Sequence, residues 1–167
     1  MPGPLYRILA AMASALAACG APAAVVTVRD SAGEPAANVA IWLVPETPAA
    51  PPAVPPRADI DQVRKSFVPP VSVVRTGTVV DFPNSDNIRH QVYSFSPAKV
   101  FTLKLYSGRQ APPVTFAEPG LVVLGCNIHD RMAAWVMVVD PPWPAVTGAD
   151  GSVRIDAPAG RYVLNAW

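Results

Sequence analysis

Proline is the residue that most restricts what this chain can fold into. It occurs 21 times in 167 residues, and each proline fixes φ and removes a backbone hydrogen-bond donor, which argues against long helices. Between the prolines and glycines lie short runs rich in Val, Ile, Thr, Phe and Tyr, a pattern typical of strands separated by turns. Since 51% of the residues are hydrophobic, a core can form, and the sequence predicts an all-β fold.

The first 23 residues have the pattern of a secretory signal peptide. Arg7 precedes the apolar stretch Ile8–Ala18, and Ala21–Ala23 fits a small-x-small cleavage site. Alternatively, Leu16–Cys19 resembles a bacterial lipobox, and processing there would lead to lipidation of Cys19. Processing at either site predicts a periplasmic protein, which would be soluble in the first case and lipid-anchored in the second. No later apolar run is long enough for a membrane span.

Charge gives no indication of a nucleic-acid partner. The formal net charge is +1, from 13 basic and 12 acidic side chains. Without Arg7, twelve of each remain and the net charge is zero. The sequence therefore lacks the basic patch expected of a nucleic-acid-binding protein.

Strand patterns divide the rest of the chain into three parts. Residues 24–58 predict an N-terminal hairpin over 25–44, followed by a proline-rich linker. Residues 143–167 predict a second hairpin, which we expect to pack with 25–44 as a small β appendage because a lone hairpin is unstable. Residues 59–142 contain seven strand patterns, as expected for a β-sandwich: Val71–Val74, Thr78–Phe82, His90–Phe95, Phe101–Tyr106, Val114–Phe116, Leu121–Leu124 and Trp135–Asp140.

Four side chains in this central part form a set that binds soft metals. Cys126, His129 and Met132 follow one another with the spacing C-x2-H-x2-M, and His90 lies upstream. Two imidazoles, one thiolate and a weak thioether are the ligands of a blue-copper electron-transfer centre. The chain has only two histidines, and this interpretation uses both. Binding a metal would also occupy the Cys126 thiol, which has no disulfide partner in the exported protein.

Other interpretations of these residues are possible. Singly, a cysteine or methionine is usually a core residue, and Met137 competes with Met132 as the thioether ligand. Structural zinc is the main alternative metal, but it prefers four Cys and His ligands. No histidine remains for a second, catalytic copper or for a Ser-His-Asp triad, so the sequence predicts no enzyme activity. We interpret Asp86 and Asp130 as solvated loop carboxylates.

The motifs around these ligands resemble the cupredoxin family, in its plastocyanin and amicyanin branch. The short C-x2-H-x2-M loop is similar to that of amicyanin, and Gly77–Asp86 followed by His90 is similar to the first-histidine motif. The runs FPNSD, VYSFSPAK and LGCNIHDRM also resemble a secreted group labelled methylamine utilisation proteins. Two departures are Gln91, where small cupredoxins usually have Asn, and a ligand loop without prolines.

The resemblance covers residues 59–142 and implies a Greek-key β-sandwich that holds one type 1 copper ion. The resemblance implies that the copper ligands are His90, Cys126, His129 and Met132. Outside this region, Val28–Pro35 and Ala157–Tyr162 resemble the two ends of a carboxypeptidase-regulatory-like β-sandwich. The resemblance therefore implies a copper domain inserted between the two ends of the appendage.

The function implied is that of a periplasmic carrier of single electrons. Its partners would be redox proteins such as a dehydrogenase and a c-type cytochrome. A copper storage, delivery or sensing module is the alternative, and an adhesion or scaffold role is a third. We expect His129 to reach the surface within an apolar rim containing Pro83 and Ile128.

Overall fold

The computed structural model describes residues 24–47 and 56–167. The predicted signal peptide, the alternative lipidation position Cys19 and residues 48–55 of the proline-rich linker lie outside the described residues. The described residues form fifteen strands: β1 (Ala24–Thr27), β2 (Ala40–Pro45), β3 (Arg57–Asp59), β4 (Asp61–Val63), β5 (Ser66–Val68), β6 (Val71–Arg75), β7 (Thr78–Asp81), β8 (Tyr93–Ser96), β9 (Lys99–Thr102), β10 (Val114–Phe116), β11 (Gly120–Gly125), β12 (Ala133–Val139), β13 (Trp143–Val146), β14 (Ser152–Ile155) and β15 (Tyr162–Ala166). Within these two ranges, no helix has the length and apolar character needed to cross a membrane.

Two sheets form the main sandwich. One has five strands in the order β6-β12-β11-β8-β9, and the other has three in the order β10-β7-β3. Neighbouring strands are antiparallel except for β12 with β6 and β3 with β7. A single core cluster joins Val80 and Phe116 of the smaller sheet to Val122, Leu124 and Val136 of the larger one. The predicted all-β sandwich is confirmed.

Strand β12 illustrates how the sequence pattern builds this core. Its residues Ala134, Val136 and Val138 are buried, whereas Trp135 and Met137 between them are more accessible, because successive side chains of a strand point to opposite faces. The strand pairs with β11 over six residues. The loop of residues 126–132 that precedes β12 is therefore attached to strands that pack into the core of the sandwich.

The two chain ends form a small β appendage, as predicted. Strand β1 pairs with β14, and β2 lies between β13 and β15. Side chains from both ends share one core cluster, in which Ile41, Leu43, Ile155 and Ala157 are buried. The appendage meets the sandwich where β13 and β2 approach β6.

The predicted hairpins within the appendage are wrong. Residues 25–44 do contain the expected turn, in which Asp30 Oδ1 accepts hydrogen bonds from the backbone N–H groups of Ala32 and Glu34. The strands on either side nevertheless belong to different sheets, and β14 and β15 are likewise not paired with each other. The physical reason is that β2 is a central strand, and both of its edges are covered by strands from the other chain end.

Candidate metal centre

The C-x2-H-x2-M run forms the loop between β11 and β12. Gly125 and Ala133 are the last paired residues of the two strands, so Cys126 and Met132 leave adjacent strand ends. The loop is closed by a hydrogen bond of 2.9 Å from the Met132 N–H to the His129 carbonyl. Cys126 and Met132 are 3% and 2% exposed, whereas His129 in the middle of the loop is half-buried.

His90 reaches the same point from the segment between β7 and β8. Its backbone N–H and carbonyl both pair with Tyr106 at 3.0 Å, and its side chain is completely buried. The preceding residues are fixed by Asn84, whose side-chain amide donates to the carbonyls of Ile88 at 2.9 Å and Tyr106 at 3.0 Å. His90 is thus held by backbone bonds rather than by a regular strand.

Three donor atoms converge on one small space. The Cys126 Sγ atom lies 3.7 Å from Nδ1 of His90 and 3.9 Å from Nδ1 of His129, and all three atoms are within 4.8 Å of one another. A metal bound about 2.0 Å from nitrogen and about 2.3 Å from sulfur, with trigonal or tetrahedral angles, would hold the sulfur and each nitrogen roughly 3.5–3.7 Å apart. The space between the donors therefore fits one metal ion.

The two methionines considered as thioether ligands occupy different places. Met132 is buried at the end of the ligand loop, in the same core cluster as Cys126. Met137 pairs with Leu121, four residue pairs along the ladder from Gly125 and Ala133, which places it roughly 13 Å away along the strand. The structure thus brings His90, Cys126 and His129 together with Met132 beside them, and their role as ligands stays a prediction.

Asp86 is the residue of the site that the sequence interpretation missed. Its side chain is only 12% exposed, and its carboxylate oxygen Oδ2 lies 2.8 Å from Nε2 of His90. Burial acts to raise the pKa of Asp86, but hydrogen bonds from the Lys65 backbone, from His90 and from the Arg64 backbone outweigh it and hold this pKa below its usual value. The interpretation of Asp86 as a solvated carboxylate is therefore wrong, whereas Asp130 is exposed as expected.

A buried polar network supports the backbone that leads to His90. The Tyr106 hydroxyl donates to the Phe82 carbonyl at 2.6 Å and accepts a hydrogen bond from the Gln62 side chain. Gln62 also donates to the Pro83 carbonyl at 3.0 Å. Burial raises the pKa of Tyr106 to about 12, so its hydroxyl stays neutral and remains a donor near neutral pH.

The surface next to the ligand loop differs in part from the predicted rim. Ile128 is 51% exposed beside the half-buried His129. Pro83 is buried, so its assignment to the exposed rim is wrong. The reason is that its carbonyl accepts hydrogen bonds from both the backbone and the side chain of Gln62, which bring the β4–β5 hairpin over it.

Comparison with known proteins gives similarities of structure only. No family model and no curated protein sequence matches this chain. Among solved structures, the copper-containing nitrite reductase of Thermus scotoductus is similar at a TM-score of 0.49 and 26% identity, over 58% of this chain but only 25% of that enzyme. A purple cupredoxin from Nitrosopumilus maritimus is similar at 0.43 and 22%, over 48% of this chain and 98% of that one.

A reduced amicyanin mutant is similar at a TM-score of 0.45 and 22% identity, over 59% of this chain and 97% of that one. The chain thus spans about a quarter of the nitrite reductase and nearly all of the two small proteins. The sequence motifs resemble the same group of copper proteins.

Proposed function

We propose that this protein is a type 1 copper protein that carries single electrons between redox partners in the periplasm. The observation that carries the proposal is the convergence of the Cys126 sulfur with one nitrogen of each histidine in a buried space. We assign the ligand roles to His90, Cys126, His129 and Met132, and the copper-binding domain to residues 59–142.

The chemistry of the donor set favours copper over other metals. Thiolate and thioether ligands suit Cu(I), imidazoles suit both oxidation states, and a weak thioether tunes the potential. Zinc in a structural role would need four Cys and His ligands, and three lie together here. A bound copper ion would supply the one-electron redox chemistry.

The protein's contribution to electron transfer is a site that changes little between the two oxidation states. His90 is completely buried and tied by two backbone hydrogen bonds, and the Cys126 and Met132 ends of the loop are fixed by the β11–β12 ladder. Such fixed ligands favour a carrier over the alternative of a delivery protein, which has to release its metal.

The optical and EPR spectra of the copper-loaded protein test the proposal. Thiolate ligation by Cys126 should give intense visible absorption, and the EPR spectrum should be that of type 1 Cu(II). A pale protein whose EPR spectrum indicates only nitrogen and oxygen ligands would contradict it.

Met132 should adjust the reduction potential rather than hold the metal. Because a thioether would bind copper only weakly, Met132→Leu should retain copper and colour while the potential rises. Met137→Leu is the matched control, since Met137 lies four pairs away on the ladder, and it should leave the potential unchanged. Loss of copper from Met132→Leu, measured by metal analysis after dialysis, would identify Met132 as a primary ligand.

Electrons should leave through the loop histidine. His129 is half-buried and lies next to the exposed Ile128, so an apolar contact there brings a partner close to a ligand with little desolvation of charge. We expect Ile128→Lys to slow electron transfer to a soluble c-type cytochrome roughly tenfold, equivalent to about 1.4 kcal/mol, with an unchanged copper spectrum.

The control for this effect is Val25→Lys, which adds the same charge at an apolar residue of the appendage that is 69% exposed. It should leave the transfer rate unaltered, as measured by stopped-flow spectroscopy. Equal rates in Ile128→Lys and the parent protein would place the docking surface elsewhere.

A further inference from the structure

The turn between β4 and β5 has an unfavourable backbone conformation. Arg64 and Lys65 have φ angles of +50° and +60°, and they form a two-residue connection because Val63 and Ser66 are the last paired residues. Two-residue hairpin turns with both central residues at positive φ favour Asn-Gly or Asp-Gly, whereas residues with a long side chain adopt this conformation at a cost. Something outside the hairpin is therefore expected to stabilise the turn.

The stabilising group is the Asp86 carboxylate. The backbone N–H of Arg64 donates to its Oδ1 atom, and that of Lys65 donates to Oδ2 at 2.8 Å. Consecutive N–H groups in such a turn point in one direction and form a small anion-binding concavity. The turn thus holds both carboxylate oxygens of Asp86 in place.

The same carboxylate contacts His90 on the side away from the donor cluster. Oδ2 of Asp86 lies 2.8 Å from Nε2, while Nδ1 of the same ring faces the Cys126 sulfur at 3.7 Å. A carboxylate accepts hydrogen bonds but donates none when ionised, so this contact places the imidazole proton on Nε2. The lone pair is then left on Nδ1, the atom that would bind a metal.

We infer that the Arg64–Lys65 turn and Asp86 act as a positioning relay that fixes the tautomer and ring orientation of His90. This inference rests on the proposed copper function, since only a metal at the cluster requires the lone pair on Nδ1. Groups that hold the second nitrogen of a metal-binding histidine commonly affect metal affinity by about 10–100-fold. Asp86 is therefore assigned as a positioning residue and not as a ligand.

Asp61 offers a matched control because it joins the same hairpin to the same loop without touching His90. Its carboxylate accepts hydrogen bonds from the Ser85 hydroxyl at 2.7 Å and from the Gln62 N–H at 2.7 Å. If Asp86 only attaches the hairpin to the loop, Asp61→Ala and Asp86→Ala should have equivalent effects. If Asp86 positions His90, only Asp86→Ala should change the histidine.

The experiment measures imidazole ¹⁵N chemical shifts of metal-free protein, at a pH where free imidazole is neutral, and then Cu(II) affinity by competition with a chelator. Wild-type His90 should carry its proton on Nε2. Asp86→Ala removes the acceptor for Nε2–H, so it should lose this preference and bind Cu(II) about 10–100-fold more weakly. Asp61→Ala should keep the wild-type tautomer, with a loss of affinity below this range.

Three results would overturn the inference: a wild-type His90 protonated on Nδ1, an unchanged tautomer in Asp86→Ala, or an equal change in Asp61→Ala. The first needs no variant, so the inference stays testable even if Asp86→Ala does not fold. A wild-type protein that binds no copper would refute the proposed function instead. In that case the tautomer of His90 in the metal-free protein would still test whether Asp86 positions this histidine.

Discussion

Cys126→Ser is expected to abolish the intense visible absorption of the copper-loaded protein. The absorption depends on charge transfer from a thiolate to Cu(II), and Cys126 is the cysteine at the cluster, 3.7 Å and 3.9 Å from the two histidine nitrogens. Serine has nearly the same shape but is not ionised near neutral pH, so the site would lose its only anionic donor. We expect copper affinity to fall by at least about 100-fold, beyond what changes around a ligand usually cause.

Ala134→Ser is a suitable control for the cost of a buried hydroxyl. Ala134 is 1% exposed in the same core cluster, on β12 two residues after Met132. This variant should keep both the colour and the copper. An absorption band of equal strength in Cys126→Ser would refute the assignment of the thiolate ligand.

Gly151→Ala is expected to have the largest effect on the stability of the appendage. Gly151 precedes β14 with φ at +72°, and an added Cβ would lie 2.5 Å from the Val28 carbonyl oxygen and 2.9 Å from the Ala36 nitrogen. Both are backbone atoms and cannot rotate away. The left-handed conformation and the overpacking together should cost about 2–5 kcal/mol, a large part of the stability of a typical domain.

Gly33→Ala separates the cost of the left-handed backbone conformation from the cost of the close Cβ contact. Gly33 also has a positive φ, of +84°, but an added Cβ would meet nothing within 4 Å, so only the conformational cost of about 1–2 kcal/mol should remain. Denaturant unfolding followed by tryptophan fluorescence measures both, because Trp42, Trp143 and Trp167 lie in the appendage. Equal losses in the two variants would show that the close contact at Gly151 is not maintained in solution.

The sequence was sufficient to predict the features that depend on local pattern. The loop from Cys126 to Met132 has its ligand-like residues within one turn between two apolar strands, and His90 was identified because the chain has no third histidine. The all-β class followed from the prolines and the short apolar runs. These features need no knowledge of which distant segments meet.

The features that were missed depend on contacts between distant segments. Strand β2 finds its partners about a hundred residues later, so the local turn at Asp30 was mistaken for a hairpin. Asp86 is held in place because two backbone N–H groups of the β4–β5 turn donate to its carboxylate, and the sequence does not show that this turn meets Asp86. A carboxylate four residues before a candidate histidine ligand was the one available signal.

The central claim is that copper stays bound while single electrons pass through the site. A spectroelectrochemical titration of the copper-loaded protein, with metal analysis before and after, tests it most directly. We expect one curve in both directions, with about 59 mV per tenfold change in the ratio of oxidised to reduced protein, as for a one-electron couple, and no loss of copper. Different oxidative and reductive curves, with copper released on oxidation to Cu(II), would contradict the carrier role and favour copper delivery.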